Sequence, residues 1–180
     1  MKKIIIILVI LLITISLVFV FRFSNISINF NQISKMNIHS PAFEEGKPIP
    51  AKYTCMGENI SPPLAFSDIP IDTKSLVLIL EDPDAPVHSF FHWLMWNIDP
   101  KTIVILEDSV PREAIQGTND FGDKEYGGPC PHLGTHRYIF KLYALDTTLS
   151  ISPSSKIDEI EQAVSGHILG QSQTFGVFSK

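Results

Sequence analysis

Cysteine is nearly absent: Cys55 and Cys130 are the two in 180 residues. Two cysteines are too few for a disulfide framework, and the lack of any C-x-x-C pair or third cysteine argues against a zinc site. Outside the cell the two could pair, but their spacing says nothing about the distance between them, and buried thiols are the default expectation. Positive charge is scarce too. After Arg22, 11 Lys and Arg residues stand against 19 Asp and Glu, a formal −8, with no basic cluster. That balance argues against nucleic acid as a partner and against docking on anionic lipid. Repeats and low-complexity tracts are missing, and a hydrophobic content of 44% excludes a disordered chain. No H-x-x-E-H pairing is present, no serine or cysteine nucleophile stands beside a base, and no cofactor is expected.

What the chain does have begins at its start. Met1-Lys2-Lys3 precedes an apolar run from Ile4 to Phe21, broken by Thr14 and Ser16. Eighteen helical residues at about 1.5 Å each span roughly 27 Å, close to a hydrocarbon core. The run ends Val18-Phe19-Val20-Phe21-Arg22 without the small residues of a cleavage site. It reads as an uncleaved signal anchor over 1–21, followed by a stalk or leading strand over 22–37. The lysines favour a cytoplasmic N-terminus, which puts the 38–180 body on the outer side of a cell membrane crossed once. Asn25-Ile26-Ser27 and Asn59-Ile60-Ser61 match the glycosylation acceptor pattern, a triplet frequent by chance.

From Ile38 onward short apolar runs alternate with proline- and glycine-bearing turns, and the chain holds 13 prolines. This texture suits strands rather than a helical bundle. Ser75–Leu80 is apolar on both faces, as a central strand is, and Phe90–Ile98 is another strand stopped by Asp99-Pro100. Pro111–Ile115 reads as a helical turn closed by Gly117. A true helix is expected near the end, with a capping-box spacing at Ser155–Asp158, an apolar face of Ile157, Ile160, Val164 and Ile168, and Gly170 as its terminating glycine. The expected architecture is a mostly β domain, a sandwich of two antiparallel sheets with a peripheral C-terminal helix, preceded by one transmembrane helix.

The stretch Tyr126–Tyr138 organises the rest. Gly127-Gly128-Pro129-Cys130-Pro131 cannot form a regular element, and it runs into a strand that puts His136, Tyr138, Phe140 and Leu142 on one face. Asp82 and Asp84 stand in a proline-stiffened turn after the strand at 75–80, and His92 falls on the face of Phe90, Leu94 and Trp96. If these strand ends converge, carboxylates, imidazoles and a phenol ring a small hollow floored by the glycine–proline loop. Gly127 and Gly128 are placed to aim N–H groups inward at an anion, and an Asp can orient a histidine so that one nitrogen donates. Such a hollow suits a phosphate or carboxylate headgroup. The plainer readings are a turn-forming Asp84, core histidines and tyrosine, and solvated charges at Glu113, Asp120 and Asp123.

Six motifs then occur in order: Lys52–Leu64, Asp82-Pro83-Asp84-Ala85-Pro86, His92-Trp93, Gly117–Gly122, Tyr126–Pro131 and Gly134–Tyr138. Together they resemble the phosphatidylethanolamine-binding protein family, in its bacterial and archaeal Raf-kinase-inhibitor-like branch, over about residues 38–180. The resemblance implies a two-sheet sandwich with a small pocket for phosphate-like anions. It carries over Asp82, Asp84, His92, Gly128, Pro129, His136 and Tyr138 as pocket lining, and implies a cis bond at Ala85–Pro86. His132 departs from the usual Pro-Cys-Pro-Pro loop. The expectation is a non-enzymatic, membrane-anchored module for a small anionic ligand or phospholipid headgroup, with inhibition of a protease or kinase as its role. The alternatives are a metal-dependent hydrolase using Asp82, Asp84, His92 and His136, and a purely structural interaction domain.

Overall fold

The computed structural model describes residues 34–180. The expected membrane span at 1–21 lies outside them, as does most of the expected stalk. Among the described residues no helix is long and apolar enough to cross a membrane. The described part opens with two short strands, β1 (Ser34–Lys35) and β2 (Asn37–His39), the first before and the second across the boundary drawn at residue 37.

The large sheet has the order β1-β9-β8-β4-β5-β7, built from β4 (Ser75–Asp82), β5 (Phe90–Ile98), β7 (Ile115–Gln116), β8 (Thr135–Leu145) and β9 (Ile168–Ser179) together with β1. Its pairings are antiparallel except β1 with β9. The small sheet, β2-β3-β6, adds β3 (Leu64–Ser67) and β6 (Val104–Ile105), all antiparallel. Two antiparallel sheets and a single described helix, α1 (Ile157–Val164), match the expected class.

All eight residues of β4 are buried, because both of its faces are covered. Leu76, Leu78 and Leu80 meet Ile38, Leu64, Phe66 and Ile105 between the sheets. Val77 and Ile79 meet Ile160 and Val164 of α1 on the outer face. At about 1.5–3 kcal/mol per fully buried aliphatic side chain, this doubly covered strand is the centre of the hydrophobic stabilisation. The alternation expected for β8 holds, with Tyr138, Phe140, Leu142 and Ala144 in the inter-sheet core.

The alternation expected for β5 does not hold. Leu80 pairs with Trp93 but Glu81 with Phe91, so His92 is the extra residue of a bulge. A bulge turns one residue out of the two-residue period and re-aims it. Leu94 and Trp96 face α1, whereas His92 packs against Tyr138 of the inter-sheet core. His92 therefore does not share the face of Leu94 and Trp96.

Four more expectations change. The helix ends at Val164, with Gly166 at a φ of 84°, and Ile168 and Gly170 belong to β9. Pro111–Ala114 is a turn closed by the Ala114 N–H on the Pro111 carbonyl, after which Ile115 enters β7. Cys55 and Cys130 are joined in a disulfide with their Cα atoms 5.4 Å apart. The described peptide bonds are all trans, so the cis bond implied at Ala85–Pro86 is absent.

Candidate functional site

The C-terminal end of β4 and the N-terminal ends of β5 and β8 meet at one end of the large sheet's inner strands, since Asp82 pairs with Phe90 and Glu81 with Ile139. Asp82 and Tyr138 fall on the inter-sheet side, and the bulge brings His92 there. Asp82 is buried, and its two oxygens have separate tasks. Oδ2 holds His136 Nδ1 at 2.7 Å, and Oδ1 accepts the Asp84 N–H at 2.9 Å. Accepting a backbone N–H two residues on is what a turn-forming aspartate does. That role, weighed for Asp84, belongs to Asp82.

Asp84 is engaged instead by Arg137. Its carboxylate receives the guanidinium at 2.6 and 2.8 Å and the Arg137 N–H at 2.9 Å. The Arg137 hydrogen bonds, foremost those of the side chain, pull the Asp84 pKa down to about 2. Bidentate Arg–carboxylate geometry fixes direction as well as charge, so the pair braces the turn at 82–86 against the start of β8. Arg137 was quoted in a motif but given no role by sequence reasoning. The signal was available: it adjoins His136 and, being odd in register with Tyr138, must point away from the core.

His92 is 3% exposed, and its Nδ1 donates to the Gly127 carbonyl at 2.7 Å. Burial pushes the imidazole pKa down, with the Gly127 hydrogen bond and the Asp82 charge pulling the other way. A neutral ring donating through Nδ1 carries its acceptor lone pair on Nε2. Its neighbours are aromatic: Phe90 at 5.0 Å, Phe121 at 5.3 Å and Tyr138 at 5.2 Å, all edge-on. Tyr138 is 0% exposed and its hydroxyl has no hydrogen-bond partner. Burial, and Asp82 close by, drive its pKa upward, so it stays a protonated donor; Asp82 is near enough to act on the hydroxyl, but the geometry of a hydrogen bond between them is not met.

The glycine–proline loop lies against His92 through the Gly127 carbonyl, and its N–H groups are not the free donors expected. The Gly127 N–H bonds the His92 carbonyl at 3.0 Å and the Gly128 N–H bonds Asn59 Oδ1 at 2.9 Å, so both donors are used within the fold. The glycines are required by close approach. A Cβ on Gly127 would stand 2.4 Å from the Phe121 ring, and one on Gly128 2.5 Å from the Tyr53 carbonyl oxygen. The Pro129 carbonyl accepts the Cys55 N–H at 3.1 Å, beside the disulfide.

Sequence reasoning missed the residues that hold this loop. Asn59, noted as an acceptor triplet, has a φ of 58° and pins Gly128. Asn119 is 1% exposed and bonds the Phe121 and Asp123 N–H groups and the Glu125 carbonyl. Asp120, taken as a solvated charge, receives the Phe91 N–H at 2.8 Å and returns its own N–H to the Phe91 carbonyl at 2.9 Å. Asp82, His92, His136 and Tyr138 thus come together around the 127–129 loop, while Asp84 stands at the rim. Among the described residues no three His, Cys, Asp or Glu side chains are grouped to hold a metal ion, and Asp84 is committed to Arg137.

A two-sheet β-sandwich gathering an Asp–His pair, a bulge-borne histidine and a buried tyrosine at one end of the large sheet defines a recognisable class of domain. Residues 39–179 match the family described as phosphatidylethanolamine-binding protein, and the chain belongs to that family. The matches include archaeal and bacterial relatives, in line with the resemblance. A UPF0098 protein of Methanothermobacter thermautotrophicus is 43% identical over 150 residues, which cover 81% of this chain and 99% of that protein. A crystal structure of a phosphatidylethanolamine-binding-protein homologue from Chlamydia trachomatis superposes with a TM-score of 0.78 at 41% identity, covering 81% of this chain and 98% of its own. YbcL of E. coli, described as a new member of the mammalian family, gives 0.77 at 28% identity over 82% of this chain and 99% of its own. The chlamydial chain is almost wholly this domain and forms the fold without a counterpart to this chain's first thirty-odd residues.

Proposed function

We propose that this chain is a binding module, not an enzyme, whose site takes a small anion: a phosphate or the phospho-headgroup of a lipid. In the same reading the N-terminal apolar run anchors it in a cell membrane with the domain on the outer side, where it inhibits a protease or a kinase. The Tyr138 hydroxyl carries the proposal. An unpaired buried hydroxyl costs about 1–3 kcal/mol, and this one belongs to a ring packed edge-on against His92, on the same side of the sheet as Asp82 of the Asp82–His136 pair. A ligand oxygen bonded there removes that cost. With Nδ1 of each histidine engaged by the protein, Nε2 of each is the nitrogen left to meet the ligand.

Asp82 sets a condition on the ligand's sign. A carboxylate repels an anion unless the neighbouring imidazole is protonated and neutralises it. Anion affinity should therefore rise on the acid side of neutrality. For His92 the rise is displaced below the ordinary histidine range, because burial lowers its pKa. Calorimetric titration of phosphoethanolamine into the 33–180 domain tests the reading. Saturable binding that weakens at least tenfold in His136→Ala and tightens from pH 8 to pH 5.5 is expected. Absence of saturation, or affinity indifferent to the substitution, would refute it.

A further inference from the structure

The glycine–proline loop is fastened to the segment at 51–59 by contacts of two kinds. The hydrogen-bonded kind comprises Tyr126 Oη to the Tyr53 carbonyl at 2.7 Å, the Gly128 N–H to Asn59 Oδ1 at 2.9 Å, and the Cys55 N–H to the Pro129 carbonyl at 3.1 Å. The other is the Cys55–Cys130 bridge, which crosses 75 positions of sequence. The clamped loop carries what the site depends on. The Gly127 carbonyl orients His92, which packs edge-on against Tyr138. The bridge is open to attack, since Cys55 is exposed and Cys130 half-buried.

We propose that the Cys55–Cys130 bridge is a thiol–disulfide exchange site whose reduction by a dithiol loosens the loop and lowers the affinity of the adjacent anion site. The inference rests on the anion-binding reading and adds its regulation. The more exposed residue of the pair, Cys55, sets the order of events. A thiolate of the dithiol attacks Cys55 Sγ, the bond between the two protein sulfurs breaks, and Cys130 leaves as a thiolate that takes up a proton. The second thiol of the donor then displaces Cys55 from the mixed disulfide. Two electrons have passed to the bridge, the donor has become a disulfide, and both cysteines are thiols. The three hydrogen bonds survive, so the domain keeps its fold while 126–131 gains freedom. A site whose donors must be held within a fraction of an ångström loses affinity when its support moves.

The test uses the 33–180 domain in both redox states, with two alkylatable thiols by mass spectrometry defining the reduced form and near-UV circular dichroism confirming that it is folded. Phosphoethanolamine is titrated into each, and amide exchange is followed at residues 126–131. The expected result is affinity about tenfold weaker after dithiothreitol and restored on reoxidation, with faster exchange confined to that loop. Equal affinity in the two states, unchanged exchange, or a bridge that resists reduction in the folded domain would overturn the proposal. If neither state binds, the anion reading fails first; exchange at 126–131 then still decides whether the bridge controls the loop.

Discussion

Asp82 and Asp84 sit two residues apart in one turn, yet one faces inward to an imidazole and the other outward to a guanidinium. Motif order was enough to single out both. Their division of labour was hidden, because it depends on which side of β4 each leaves and on a partner 53 or 54 positions away. Tyr138 offers the cleanest single-residue experiment. Tyr138→Phe removes a hydroxyl that has no protein partner, so the denaturation midpoint should stay level or rise slightly while phosphoethanolamine affinity falls about tenfold. A marked loss of stability would mean that the hydroxyl is bonded within the fold. His92 makes a prediction in pH. Its protonation is suppressed in the native state, whereas the unfolded chain binds that proton from about pH 6.5 downward. The fold must then lose stability as pH falls below that value. Urea unfolding should give a smaller free energy at pH 5.5 than at 7.5, and His92→Gln should flatten that difference.

Among the elements, β4 and β8 were legible and the end of the chain was not. β4 is apolar throughout and β8 alternates, so each advertises its burial. Residues 168–179, Ile-Leu-Gly-Gln-Ser-Gln-Thr-Phe-Gly-Val-Phe-Ser, carry neither a strong period nor many β-branched residues. They form a strand because β8 offers eleven consecutive pairing positions, a tertiary cause that no local window contains. The bulge in β5 escaped for a related reason: alternation assumes an unbroken register. The loop at 127–129 was legible as irregular but not as a docked piece whose N–H groups are already taken. Gly128→Ala should cost about 1–3 kcal/mol, since the new methyl meets backbone atoms of Tyr53 and Thr54 that cannot swing aside. Chemical denaturation measures it, and a neutral outcome would show that the loop yields. On the opposite face, Ile160→Ala should cost about 2–5 kcal/mol by opening a cavity under α1.

For the molecule as a whole, the class of fold was readable from turn chemistry and ordered motifs, whereas the pairing of the cysteines was not, because 75 positions of separation carry no distance. Replacing both cysteines by serine should lower unfolding free energy by roughly 2–4 kcal/mol, read as a shift in denaturant midpoint. The order β1-β9-β8-β4-β5-β7 places the earliest described strand against the latest, Ser34 beside Gly170. Sheets joined by such distant partners assemble slowly. Until residues 168–179 have been made, β8 therefore lacks its companion on one flank, and the large sheet cannot close before its last described strand exists.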